Sequence, residues 1–290
     1  MDKITALLRL TRIEHSIMLI IAVIAAEVIS GYVPALPVFA LSIITPMFIS
    51  MGSFAINDYF DVESDKANKR LDRPIVNGSI GKKEAYAVAM SCFAVGVLAS
   101  IFINAAVFLI ALAFAALAYM YSYKLKDMLL LGNVYIAFTM VIPFIYGNYV
   151  VSAGLGTDII LISIVIFLAG LAREIHGMVR DYQGDKAARK SKNLLYHVGS
   201  KRASQLAFVL YIEAVLVSIY MFFFAPPFAY NAVYIIPIAI TDFILVYVSY
   251  AYLTRKSSRK FFSFTRNASL GAMALALIAF LAAAIVFIQI

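Results

Sequence analysis

The stretch AAVFLIALAFAALAYMYSY, Ala105–Tyr123, carries no charge, and from Ala105 to Leu117 it is apolar on every face. A strand in a barrel wall alternates apolar and polar side chains, and no such alternation is present. A helix crossing the hydrocarbon core of a bilayer needs roughly 20 apolar residues. That ruler finds Ser16–Val33, Pro37–Ile56 and Ala85–Ile103 before this stretch. After it come Leu129–Val151, Ile159–Ala172, Ser204–Phe224, Tyr230–Leu253 and Ala268–Ile290. Only helices and closed barrels satisfy their backbone groups in lipid. The expected fold class is therefore all-α, a polytopic membrane bundle of nine transmembrane helices forming one unit over residues 1–290. Recurrent runs of this kind fit neither a lone anchor nor a signal peptide.

Composition agrees. Hydrophobic residues make up 63% of the chain and charged residues 14%, whereas soluble chains average about 45–50% and about 25%. The net charge of +8 does not point to nucleic acid, because of where the cations lie. All 24 Lys and Arg fall at the N-terminus or after segments 2, 4, 6 and 8, and none lies after segments 1, 3, 5 or 7. The positive-inside rule then places the N-terminus in the cytoplasm and the C-terminus outside. Cys92 is the single cysteine and reads as a packing residue of an apolar helix.

Polar chemistry concentrates in two of the cytoplasmic connections. Segment 2 runs into Asn57-Asp58-Tyr59-Phe60-Asp61-Val62-Glu63-Ser64-Asp65, then Arg70-Leu71-Asp72-Arg73-Pro74; segment 6 runs into Arg180-Asp181-Tyr182-Gln183-Gly184-Asp185-Lys186. The halves read as a weak internal repeat, which would bring the two acidic clusters to face each other across a central cavity. Asn57, Asp61 and Asp65 stand at i, i+4, i+8, and Asp181 and Asp185 repeat the i, i+4 step, placing oxygens along one helix face. Like charges so spaced destabilise a helix unless a cation neutralises them. Mg²⁺ suits the task, since it takes oxygen ligands and uses one or two carboxylates plus phosphate oxygens. Arg70, Arg73, Lys124, Lys126, Lys186 and Arg173 are candidate phosphate partners. An acidic cluster with basic neighbours suits a metal–polyphosphate complex better than a bare cation path.

Asn57-Asp58-x-x-Asp61-x-x-x-Asp65, Arg70-x-x-Arg73-Pro74 with Gly78, and Asp181-x-x-x-Asp185 resemble the signature of the UbiA superfamily of intramembrane prenyltransferases. The resemblance spans nearly the whole chain. It implies a lateral opening to lipid, a cytoplasmic cap from the loops after helices 2 and 6, and Mg²⁺-dependent condensation of a prenyl diphosphate with a lipophilic acceptor. Asp61-x-Glu63-x-Asp65-Lys66, Tyr121-Ser122-Tyr123-Lys124-Leu125-Lys126 and Arg173-Glu174 are similar to the archaeal branch, the digeranylgeranylglyceryl phosphate synthases. Gly177, Met178, Arg180 and Asn193-Leu194-Leu195 depart from that branch.

An allylic diphosphate reacts as its C–O bond breaks, so stabilising the leaving diphosphate is the main requirement. Asp61, Asp65, Asp181 and Asp185 are expected to anchor Mg²⁺, with Asn57 and Asp58 completing the first site. Lys124, Lys126 and Arg73 would offset the remaining negative charge. Tyr59, Tyr121, Tyr123 and Tyr146 are candidate walls for the developing carbocation, and His176 lies near the second cluster. Arg12 reads as a membrane-surface anchor. Glu27, Glu213 and Asp242 are expected to face the cavity or pair internally. Competing readings are aromatic prenylation in quinone or haem synthesis and, in another class, a cation-coupled transporter.

Overall fold

The computed structural model describes residues 2–128, 130–185, 194–255 and 258–289. Among these the chain is helical throughout: α1 (Lys3–Thr11), α2 (Ser16–Ile29), α3 (Leu36–Ala67), α4 (Lys82–Ile101), α5 (Ala105–Tyr123), α6 (Leu131–Val151), α7 (Thr157–Asp185), α8 (Leu194–Phe224), α9 (Ala232–Thr254) and α10 (Arg259–Gln289). Single 3₁₀ turns occupy Ile13–His15 and Leu125–Asp127. The nine expected segments correspond to α2–α10. Eight of these, α3–α10, are long and apolar enough to cross a membrane, and α2 is shorter at 14 residues.

The N-terminal region contains a helix that hydropathy does not mark. In α1, Asp2 caps the start by accepting a hydrogen bond from the Thr5 amide at 2.7 Å. Ala6, Leu10 and Thr11 are buried, and α1 packs against α3. The helix ends where Arg12 adopts a left-handed conformation, φ 46°.

Several helices overrun the apolar segments. At 32 residues, α3 is about 48 Å long and carries its acidic motif well beyond the hydrocarbon layer. Similarly, α7 continues past Ala172 to Asp185, and α10 starts at Arg259 rather than Ala268. Hydropathy locates the bilayer, whereas a helix continues wherever its backbone bonds and packing are satisfied.

Neighbours pack in a closed circuit. α3 lies against α4 and α5; α6 joins α2 to α7; α7, α8, α9 and α10 follow in order; α10 returns to α2. Small residues permit the closest approaches, as is usual between membrane helices. A Cβ on Gly147 would stand 2.6 Å from the Val23 carbonyl oxygen and 2.8 Å from the Ala26 Cβ. A Gly147→Val variant is therefore expected to lose about 1–3 kcal/mol, read as a lower thermal unfolding midpoint in detergent. An unchanged midpoint would show that α2 and α6 separate freely.

Cys92 is a buried free cysteine. The intramembrane acids diverge. Asp242 accepts a hydrogen bond from the Ser218 hydroxyl at 2.6 Å. Glu27 is fully buried, and neither of its carboxyl oxygens meets a hydrogen-bond partner among the described residues. Glu213 does not follow expectation: it lies on the exposed face of α8, because that face turns away from α7 and α9.

Candidate active site

At the end of the bundle where α3, α5, α7 and α9 terminate, side chains from six helices enclose a cavity of about 700 Å³. Asn57 and Asp61 enter from α3, Tyr121 from α5, Asn133 and Ile136 from α6. Arg173, Glu174, His176, Arg180 and Asp181 enter from α7, Val248 and Tyr252 from α9, and Arg266 and Ser269 from α10. Arg70 and Lys126 reach in from the connections after α3 and α5. The two acidic motifs thus share one chamber, with Asn57 and Asp61 on one helix and Asp181 on another.

Each of these carboxylates already has a cation beside it. The Lys126 ammonium donates to Asp61 Oδ1. Arg180 makes a bidentate pair with its neighbour Asp181 at 2.7 and 2.9 Å. Arg173 Nη1 lies 3.9 Å from Glu174, and Arg173 Nε is buried with no hydrogen-bond partner among the described residues. Arg70 forks onto Asp72 with two bonds of 3.0 Å, which hold the Asp72 carboxyl below the usual carboxylate range.

The first motif divides between two faces. Asp58 points away from the cavity and is almost fully buried. It accepts hydrogen bonds from Arg12 Nη2 and, at 3.0 Å, from Arg73 Nη1. Arg12 therefore serves as an internal partner rather than a surface anchor, and its guanidinium also covers the Phe54 ring at 4.7 Å. Arg73 Nε stands 3.8 Å from Asp65. Asp58, Asp65 and Arg73 lie behind the cavity wall and do not line it. The structure thus gives Asp58 two arginine partners in the place where metal coordination was expected, because its direction from α3 faces the returning chain.

Other expected residues also sit elsewhere. Lys124 is exposed outside the cavity. Tyr123 is 65% exposed and packs on Phe60. Tyr59 packs on Phe60 and Tyr86, and Tyr146 is buried beside Val23 and Val107. Of the candidate aromatics only Tyr121 lines the cavity, stacked on Tyr135 at 4.5 Å. Asp185 ends α7, but its side chain, like all of Lys186, lies outside the described residues.

Sequence reading missed Tyr252, Asn133, Ser269 and Arg266. Tyr252 stacks flat on His176, with ring centroids 3.9 Å apart and planes 1° from parallel. The His176 ring is further held 3.5 Å from the Ser249 hydroxyl. Arg266 had a signal, since it stands at i, i+3 to Ser269 and i, i+7 to Arg259, but the apolar run that marks its helix begins two residues later, at Ala268.

The chain matches the profile described as the UbiA prenyltransferase family over residues 18–273. It is similar to the digeranylgeranylglyceryl phosphate synthase of Archaeoglobus fulgidus, with 35% identity covering 95% of this chain and 94% of that one. The Sulfolobus acidocaldarius protein of the same name is 29% identical, covering 93% and 96%. A solved structure concerning digeranylgeranylglyceryl phosphate synthase in membranes superposes with a TM-score of 0.81 at 27% identity, covering 98% and 99%. A UbiA homologue from Archaeoglobus fulgidus, solved bound to GPP and Mg²⁺, gives 0.66 at 21% identity over 98% and 100%. With its all-helical bundle and these matches, the chain is an integral membrane protein belonging to the UbiA prenyltransferase family.

Proposed function

We propose that this prenyltransferase moves a geranylgeranyl-type group from its allylic diphosphate to the hydroxyl of geranylgeranylglyceryl phosphate, the Mg²⁺-dependent ether-forming step of archaeal lipid synthesis. The observation that carries this reading is one cavity in which Asn57 and Asp61 of α3 and Asp181 of α7 stand among cations. The names of the relatives supply the acceptor class.

The side chains fit Mg²⁺. All three donors on the wall offer oxygen, and the carboxylates' present partners are Lys126 and Arg180, flexible cations that an ion can replace. Among the described residues no three acids, histidines or cysteines gather tightly enough to hold an ion alone. That suits an ion whose coordination is completed by diphosphate oxygens. Asn57 and Asp61 would hold Mg²⁺ on one wall and Asp181 on the other. The bound ions supply electrophilic neutralisation of the departing diphosphate.

The protein's own groups do the rest. Lys126 and Arg70 place positive charge at the cavity edge where the diphosphate leaves. Tyr121 and Tyr252 bring aromatic rings to the cavity wall, where they would stabilise the allylic cation. Ile136, Val248 and the other apolar wall residues exclude water from it. The C–O bond to diphosphate breaks, the acceptor hydroxyl oxygen forms the ether, and its proton passes to a diphosphate oxygen. By the positive-inside rule the cavity end is cytoplasmic, with the C-terminus outside.

Product analysis by mass spectrometry tests this. Full-length protein in lipid, given geranylgeranyl diphosphate, geranylgeranylglyceryl phosphate and a panel of aromatic acceptors, is expected to yield the diether phosphate. EDTA should abolish the product and excess Mg²⁺ restore it. A prenylated aromatic as the sole product would assign the chain to quinone or haem chemistry instead, and cation flux without transfer would make it a transporter.

A further inference from the structure

The cavity wall carries five cations, Arg70, Lys126, Arg173, Arg180 and Arg266, against three acids, Asp61, Glu174 and Asp181. Three of the cations are committed to short ion pairs: Lys126 with Asp61, Arg180 with Asp181, and Arg70 with Asp72. The other two are not. Arg173 reaches Glu174 only at 3.9 Å, and its Nε is buried with no acceptor among the described residues. Arg266 has no acidic partner among the described residues, and α10 contains no Asp or Glu at all.

These two arginines are also set back from the acidic motifs. Arg173 precedes Asp181 by two turns of α7, about 12 Å along the axis. Arg266 lies seven residues inside α10, about 10 Å from its start. Arg173 is thus set inward from Asp181 on α7, and Arg266 stands on the α10 wall of the same cavity. A single metal-bound diphosphate is served by Asp61, Asp181 and their partners, and leaves Arg266 without an anion and Arg173 with only the loosely held Glu174.

We infer that Arg173 and Arg266 form a second anion subsite, which takes the phosphomonoester of the acceptor and selects a phosphorylated acceptor over a neutral one. Guanidinium forks suit the three oxygens of such a group. In a glyceryl phosphate the phosphate sits on the carbon next to the reacting hydroxyl, so holding it aims that oxygen at the diphosphate end of the cavity. This inference rests on the proposed acceptor class.

The test compares geranylgeranylglyceryl phosphate with its dephosphorylated alcohol, using full-length protein, Mg²⁺ and geranylgeranyl diphosphate. Wild type is expected to favour the phosphorylated acceptor. Arg266→Gln should raise its KM by about 10- to 100-fold, leave the donor KM unchanged and erase most of the preference. Arg173→Gln should do the same, and Arg266→Lys should restore part of it. The ratio between acceptors within one preparation does not depend on how much protein is folded. If wild type uses the phosphorylated acceptor but both glutamine variants keep its ratio, the subsite is overturned and the function stands. If wild type ignores that acceptor and prenylates an aromatic one, both fall.

Discussion

Asp61→Ala is expected to lower kcat/KM for prenyl transfer on the order of 10²–10³-fold while leaving the protein folded. Asp61 is the α3 carboxylate that faces the cavity, where it pairs with the flexible Lys126 side chain. The substitution removes one oxygen ligand and frees Lys126 from its partner. The loss should include a rise in the Mg²⁺ concentration needed for half-maximal rate, by about tenfold, as for changes at metal-site groups. Initial rates across a Mg²⁺ series, with thermal unfolding as the control, read both effects. Lys126→Ala supplies the contrast. It deletes a cation at the cavity edge, so kcat should fall, while the Mg²⁺ requirement should not rise, because Asp61 loses only a partner that competes with the ion. A fully active Asp61→Ala protein would remove α3 from the chemistry and with it the proposed mechanism.

The membrane architecture was legible because lipid imposes one requirement, a long apolar run, that sequence states directly. The alternation of basic connections was equally plain, and the structure gathers the ends of α3, α5, α7 and α9 at one cavity. Helix limits were less legible. Charged residues after Ala172 and before Ala268 read as loops, yet α7 and α10 continue through them, and this is how Arg173, Asp181 and Arg266 reach the site.

The first motif shows a second limit. Spacing of i, i+4, i+8 suggests one face, but each step drifts by about 40° at 100° per residue. Asp65 is then about 80° from Asn57, and Asp58 about 100°. Asn57 and Asp61 keep to the cavity, whereas Asp65 and Asp58 turn towards Arg73. Which of these directions holds the substrate depends on where the loop after α3 returns, and local spacing does not encode that. Tyr252 was illegible for a similar reason: its stacking on His176, which sequence had placed near the second cluster, joins α9 to α7 across a long sequence separation.

The divided motif leads to the largest expected effect on stability. Asp58→Ala should destabilise the protein by about 3–5 kcal/mol, the usual result of breaking a buried ion pair from one side. Asp58 is 2% exposed, and Arg12 and Arg73, themselves largely covered, both donate to its Oδ1. Removing the carboxylate leaves two guanidinium groups without their shared acceptor. It also unties three parts of the chain at once: the α1 junction, the body of α3 and the segment leading to Pro74. A lower thermal unfolding midpoint and faster proteolysis near Arg12 and Arg73 should report this. The double-mutant cycle gives the sharper measurement. Arg73→Met added to Asp58→Ala should cost less than the sum of the two single changes, since it removes one of the stranded charges. Metal coordination by Asp58 predicts another pattern, with near-native stability and a large rise in the Mg²⁺ requirement. If that pattern is found, the Arg12–Asp58–Arg73 cluster is not what holds this face together, and Asp58 returns to the metal site.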